Sequence, residues 1–481
     1  MLFDRVKSLD HILESARTQG LKRQLGAFDL TMLGIGAIIG TGIFVLTSVA
    51  AEKAGPGMMY SFVIAGFVCA LAALVYSEIA AIVPVAGSAY TYSYAVFGEL
   101  IAWMVGWALI LEYAVAAAAV AVGWSGYING FLHEIGYGLP LALTAGPRDT
   151  IVLANGTTSA GGFNLLAFLI SRFVTFLLII GTTKSARFTA ILVIVKIVAL
   201  SVFIVLVLPA VNATNFEPML PKGWGTPASG VGVLGAAASI FFAYIGFDAV
   251  STAAEETRNP NRNVPIGLIG SLGICTIFYL IVAYAAVGAV GAQPGGELSQ
   301  SKEPQAFVLR PVGYPPIGNW VASAAIIALP SVVLMMIYGQ TRVLFTMSRD
   351  GLIPRSFSHI HVRFHTPYFV TLVTGIAVAL FAAMFPVVML ADVSNSGTLF
   401  AFFMVAMSVM ILRRREPNLH RPFRTPALWA VGPLAMAGCA LLFISLGWGT
   451  IRLFLYWAAV GLVVYFGYAR RHSIVGKEQA G

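Results

Sequence analysis

Charge is what this sequence has least of. Only 10% of its 481 residues are Asp, Glu, Lys or Arg and 58% are hydrophobic, whereas soluble domains carry about 25% charged residues. So thin a supply of charge excludes a sizeable soluble domain and leaves a polytopic membrane protein. Cysteine is scarce too: Cys69, Cys275 and Cys439 each lie in an apolar run, which suits buried thiols and argues against a disulfide framework or a metal cluster. No nucleophile elbow, P-loop or zinc-binding helix occurs, so no enzyme, cofactor or metal is expected. His359, His361 and His365 share a loop with Arg355 and Arg363 and read as a solvated basic segment. The first 26 residues lack an apolar core, so this basic segment is not a cleavable signal peptide. Leu9, Ile12 and Leu13 fit a short amphipathic helix on the membrane surface instead. The net charge of +9 raises nucleic acid as a partner, but the distribution of the charge excludes it.

What is present is apolar sequence in long runs. The expectation is an all-α polytopic membrane protein with about twelve transmembrane helices: 28–50, 58–83, 97–122, 162–181, 187–210, 228–254, 264–291, 317–344, 367–387, 392–412, 427–447 and 450–469. With the N-terminus inside, about 21 of the 29 Lys and Arg residues fall on the cytoplasmic side and about 6 outside. Both termini are then cytoplasmic, and the long loops 123–161 and 293–318 lie outside. The tryptophans Trp103, Trp107, Trp124, Trp448 and Trp457 are expected mostly in interfacial belts.

One stretch departs from good helix-forming sequence. Gly34, Gly36, Gly40 and Gly42 put four glycines in nine positions inside the first run, each costing about 1 kcal/mol in a helix interior. Close helix packing through Gly36 and Gly40 is one explanation. A break in the helix, exposing backbone groups to a small polar solute, is the other. The second is favoured by Phe241–Asp248, where Gly246 sits beside an acid within another apolar span. Paired interruptions in two halves of a chain point to a transporter site. Five spans separate the two, so the second five-helix unit is inverted: 1–27 is a cytoplasmic segment, 28–210 the first repeat, 228–412 the second, 427–469 two accessory helices and 470–481 a cytoplasmic tail.

An ionisable group at the bilayer centre costs about 2.5–3.5 kcal/mol by insertion scales, so each needs a partner or a function. Lys196 sits among Val193, Ile194, Val195, Ile197 and Val198. It is either a proton-carrying group, a fixed cation where a related transporter would place sodium, or a tether to carbonyls freed by the first break. Asp248 and Glu112 are the matching acids, each a candidate for a substrate cation or for a structural partner. Arg172, midway along the fourth span, fits snorkelling better than a site. Glu78, near the inner end of the second, fits a cytoplasmic gate or a packing contact.

Several stretches together resemble the amino acid, polyamine and organocation transporter superfamily, most closely its cationic amino acid transporter branch and the bacterial relatives of that branch. They are Gly36 to Phe44; Tyr76-Ser77-Glu78 with Pro84, Gly87 and Ala89-Tyr90; Phe241 to Asp248 with Glu255, Glu256, Asn259, Pro260 and Pro265; and Tyr338 to Arg342 with Met347 to Gly351. The resemblance implies a five-plus-five inverted repeat with broken first and sixth helices, and secondary active transport of cationic or small neutral amino acids by alternating access in the plasma (inner) membrane. It implies that the backbone N–H groups of Thr41 and Gly42 receive the substrate carboxylate, with Gly40 also in the substrate site, that carbonyls of Ile38, Phe242 and Ile245 receive its amine, and that Phe242 is a gate. Lys196 then supports proton coupling, and Glu112 and Asp248 handle substrate or proton. Exchange without net proton flux, or an amino acid receptor, are the alternatives. A small single-span subunit is a candidate partner beside the lipid bilayer. Pro330 in the eighth span departs from the family pattern, near Met335 and Met336.

Overall fold

The computed structural model describes residues 5–7, 25–84, 87–152, 158–181, 186–254, 257–361 and 366–478. Leu9, Ile12, Leu13, Glu255, Glu256, Arg363 and His365 lie outside them. In chain order the principal helices are α1 (Ala27–Ile38), α2 (Thr41–Phe44), α3 (Leu46–Ala54), α4 (Met58–Ile82), α5 (Ser88–Phe97), α6 (Glu99–Glu134), α7 (Leu165–Ile180), α8 (Ala186–Val207), α9 (Gly232–Ile240), α10 (Ala249–Thr252), α11 (Pro260–Val290), α12 (Pro304–Leu309), α13 (Pro315–Arg349), α14 (Tyr368–Met384), α15 (Val387–Arg415), α16 (Leu428–Ser445) and α17 (Trp448–Val464). Among the described residues, nine helical stretches are long and apolar enough to cross a membrane, and Leu165–Ile180, Gly232–Tyr244 and Tyr368–Met384 are shorter apolar helices. The cysteines are all buried and unpaired.

The expected third span was too short. Helix α6 runs on to Glu134 because its last turns have something to hold: Tyr127 is fully buried and donates to the Phe44 carbonyl (2.6 Å), and Ser125 accepts from the Asn164 side chain (2.9 Å). The loop that follows carries a departure from an all-helical chain, a short antiparallel ladder pairing Thr150 with Ala160 and Val152 with Thr158.

Helix α6 is the central post, packed against α13 and α15. Its tryptophans join helices. Trp107 stacks on Trp457 at 4.6 Å and on Trp103 at 5.4 Å, and Trp107 and Trp457 each donate an indole N–H to the other's carbonyl at 2.8 Å. An indole N–H buried between helices needs an acceptor, and the stack supplies it while joining α6 to α17. Trp124 similarly donates to the Ile326 carbonyl (2.8 Å), whereas Trp448 is exposed.

Glu78 proves to be a packing contact. It is buried on α4, receives Arg413 of α15 at 3.2 and 2.5 Å and the Thr425 amide at 2.8 Å, and thus pins α4 to the linker before α16. A buried carboxylate is tolerable when its lone pairs are filled in this way.

Candidate functional site

Both glycine stretches interrupt their helices. Helix α1 ends at Ile38; Ile39 is extended, Gly40 is non-helical (φ −149°, ψ −147°), and α2 restarts at Thr41. After α9 the chain tightens into a 3-10 turn at Phe241–Tyr244, becomes extended at Ile245 and passes through Gly246 at φ +114° before α10. The interruptions lie against each other. A Cβ at Gly42 would stand 2.2 Å from the Cα of Ala243, and one at Gly246 would stand 2.9 Å from the carbonyl carbon of Ala37. Only glycine permits that reciprocal approach, and at Gly246 only glycine adopts the backbone without strain.

A broken helix leaves carbonyls without intrahelical donors, and side chains from distant elements supply them. Lys196 of α8 donates to Gly36 (2.8 Å), Tyr279 of α11 to Ile38 (2.8 Å), and Gln305 of α12 to Ile43 (2.6 Å). Asn395 of α15 donates to Ala238 (2.7 Å) and Ser239 (3.1 Å). Lys196 is therefore tethered to the first break and 1% exposed.

Between the interruptions lies a small cavity lined by Ala37, Ile38, Gly40, Thr41, Gly42, Val120, Phe242, Ile245, Val332 and Met336. The volume open to the centre of a water molecule is about 10 Å³, about what a single water needs. Six of the residues expected at the site line it: Ile38, Gly40, Thr41, Gly42, Phe242 and Ile245. Glu112, Asp248 and Lys196 do not. Asp248 accepts from Tyr113 (2.8 Å), and Glu112, the neighbour of Tyr113 on α6, is wholly buried with no hydrogen-bond partner for its carboxyl oxygens among the described residues. Sequence reasoning missed Ala37, Val120 and Val332, which are ordinary apolar residues in apolar runs and carry no local signal. The cavity wall holds no charged side chain. The Thr41 hydroxyl is buried and has no partner among the described residues.

Ion pairs and aromatic contacts join the elements on either side of the interruptions. Toward α12, Lys53 pairs with Asp392 (3.0 Å) and Ser239 (2.5 Å), joining α3 to α15 and α9, while Arg310 bridges Glu303 (2.8 Å) and Glu134 (2.5 Å). Toward the opposite end, Phe247 and Phe402 stand 5.1 Å apart with Tyr76 against both. Beyond them Arg5 pairs with buried Glu99 (3.0 Å) and Lys7 with Asp350 (2.8 Å).

Burial holds the Glu303 carboxyl above its usual range, with Arg310 opposing and Glu134 assisting. The docked segment therefore binds a proton more tightly than the undocked one, and docking strengthens as pH falls through the range just above the ordinary carboxylate value. Hydrogen exchange in residues 297–310, corrected for intrinsic rates, is expected to slow from pH 7 to pH 5 and to lose that dependence in Glu303→Gln. A Glu303→Gln protein with the native pH slope would refute the assignment.

The Amino acid permease family model matches residues 25–469. The branched-chain amino acid permease BcaP of Bacillus subtilis (strain 168) is 46% identical over 474 residues, covering 98% of each chain. The methylthioribose transporter of the same organism is 40% identical over 98% of this chain and 99% of its own. The vacuolar cationic amino acid transporter 4 of Arabidopsis thaliana is 35% identical over 86% of this chain and 67% of its own. These relatives are named as transporters and permeases, not enzymes.

Proposed function

The chain belongs to the amino acid permease family, a multi-pass protein of the cell membrane, and on that premise we propose that it is a secondary active transporter for amino acids with an apolar side chain. The observation that carries this is the cavity at the paired interruptions, whose wall has the backbone of Thr41 and Gly42 on one side and the apolar Val120, Val332 and Met336 on the other. The substrate carboxylate sits at the amides of Thr41 and Gly42, where a helix start lacks intrahelical acceptors. Its ammonium takes the carbonyls of Ile38, Phe242 and Ile245, Phe242 covers it as the gate, and Gly40 leaves room for the backbone to approach. A cationic side chain is disfavoured because the acids that would meet it, Glu112 and Asp248, are not in the wall. In this reading twelve spans form an inverted five-plus-five repeat with two accessory helices, both termini are cytoplasmic, and access alternates as the contacts on either side of the interruptions open in turn. Proton coupling runs through Lys196, which reports the state of the first break through its bond to Gly36.

The methylthioribose-type relative raises a thioether sugar as a second substrate class. The Thr41 hydroxyl is a suitable partner for it, but the wall offers little else to a ribose. Uptake of labelled leucine, arginine and methylthioribose into proteoliposomes separates these. We expect leucine uptake to exceed arginine uptake by at least about tenfold, a difference of about 1.4 kcal/mol, and Val332→Asp to remove the preference. Arginine as the better substrate would overturn the apolar assignment.

A further inference from the structure

We propose that a groove between the start of α11 and the linker before α16 binds one anionic phospholipid, with its phosphate at Arg262 and an acyl chain along α11. The inference rests on the orientation given above, which makes this end cytoplasmic. The groove encloses about 510 Å³ and is lined by Arg262, Pro265, Ile266, Ile269 and Phe423 among others. Ile266 and Ile269 remain 42% and 36% exposed on a helix long and apolar enough to cross the membrane, so their outer face meets acyl chains.

The charge at the mouth of the groove selects the occupant. Arg262 is exposed and has no ion pair among the described residues. Of the other arginines at this end, Arg413 is committed to Glu78, and Arg421 to Glu78 and the carbonyls of Leu419 and Glu416, while Arg262 is the arginine in the groove's lining. A ligand for this site carries a negative group at the membrane surface and an apolar body below it, which describes an anionic phospholipid of the inner leaflet. A single-span partner helix fits less well, because cytoplasmic ends of spans are rich in Lys and Arg and would set like charge against Arg262.

Native mass spectrometry of the purified full chain, titrated with phosphatidylglycerol or phosphatidylcholine, tests this. The expected result is about fivefold tighter first binding of phosphatidylglycerol, the discrimination of one arginine near a membrane surface. Arg262→Gln should erase the preference, and Ile269→Trp, which fills the groove, should weaken both lipids. Equal binding of the two lipids, an unchanged preference in Arg262→Gln, or full displacement by inorganic phosphate would each overturn the proposal, as would co-purification of a small polypeptide that Ile269→Trp expels. Leucine uptake by the native protein is measured in parallel: absence of uptake with the lipid preference intact counts against the transport reading alone.

Discussion

Lys196→Met abolishes the stimulation of uptake by an inward proton gradient while leaving exchange of internal for external substrate in place. The argument starts from geometry. Lys196 is buried and its ammonium donates to the carbonyl of Gly36, three residues before the helix break at Ile39 and Gly40. A hydrogen bond from a charged donor is worth about 1.5–3 kcal/mol, so loss of the proton from this amine weakens the hold on α1 by a comparable amount. That range equals about a ten- to hundredfold shift between two positions of the first half-helix. Methionine fills the volume of the lysine stem but offers neither proton nor donor, so the half-helix loses its link to the gradient and keeps its packing. Gradient-driven uptake should fall by at least about tenfold. Full gradient stimulation in Lys196→Met would reduce the lysine to a structural tether, and loss of exchange as well would mean that the tether is needed for folding or binding.

Gly42→Ala is expected to reduce uptake about a hundredfold by either assay. A Cβ at this position would stand 2.2 Å from Ala243 Cα and 2.5 Å from its Cβ, and backbone cannot give way as a flexible side-chain end can. Overpacking of this kind costs about 1–3 kcal/mol, and here the strain falls on the crossing that shapes the cavity. Gly449→Ala is the control, since nothing lies within 4 Å of the added carbon. Near-native uptake by Gly42→Ala would show that the two interruptions do not need their close approach.

How much of this was legible beforehand follows from what each signal depends on. Helix interruption is a local property: four glycines in a short run weaken a helix wherever it is placed, so Gly34–Gly42 and Phe241–Asp248 stood out. Span length is local as well, yet α6 exceeds its expected end because Tyr127 and Ser125 find partners far away in the chain. Partnership across the fold is what one sequence conceals. Tyr279 reaches Ile38 and Gln305 reaches Ile43 across more than 200 residues, and a lone tyrosine or glutamine in an apolar run does not announce which carbonyl it serves. The joint made by the tryptophans was hidden for the same reason. Trp103 and Trp107 have the composition of an interfacial belt, but the reciprocal bonds of Trp107 and Trp457 show a helix joint. Glu112 and Asp248 had the chemistry of a cation site, and only the fold places them outside the cavity wall.

Equilibrium binding of labelled leucine to the purified protein, native against Met336→Trp, tests the central claim most directly. Met336 lines the cavity and is 3% exposed, so tryptophan there occupies the space a substrate side chain would need. The account predicts saturable binding by the native protein, competed by valine and isoleucine but not by arginine, and no saturable binding by a Met336→Trp protein that still melts cooperatively. Undiminished leucine binding by a folded Met336→Trp protein would place the substrate elsewhere.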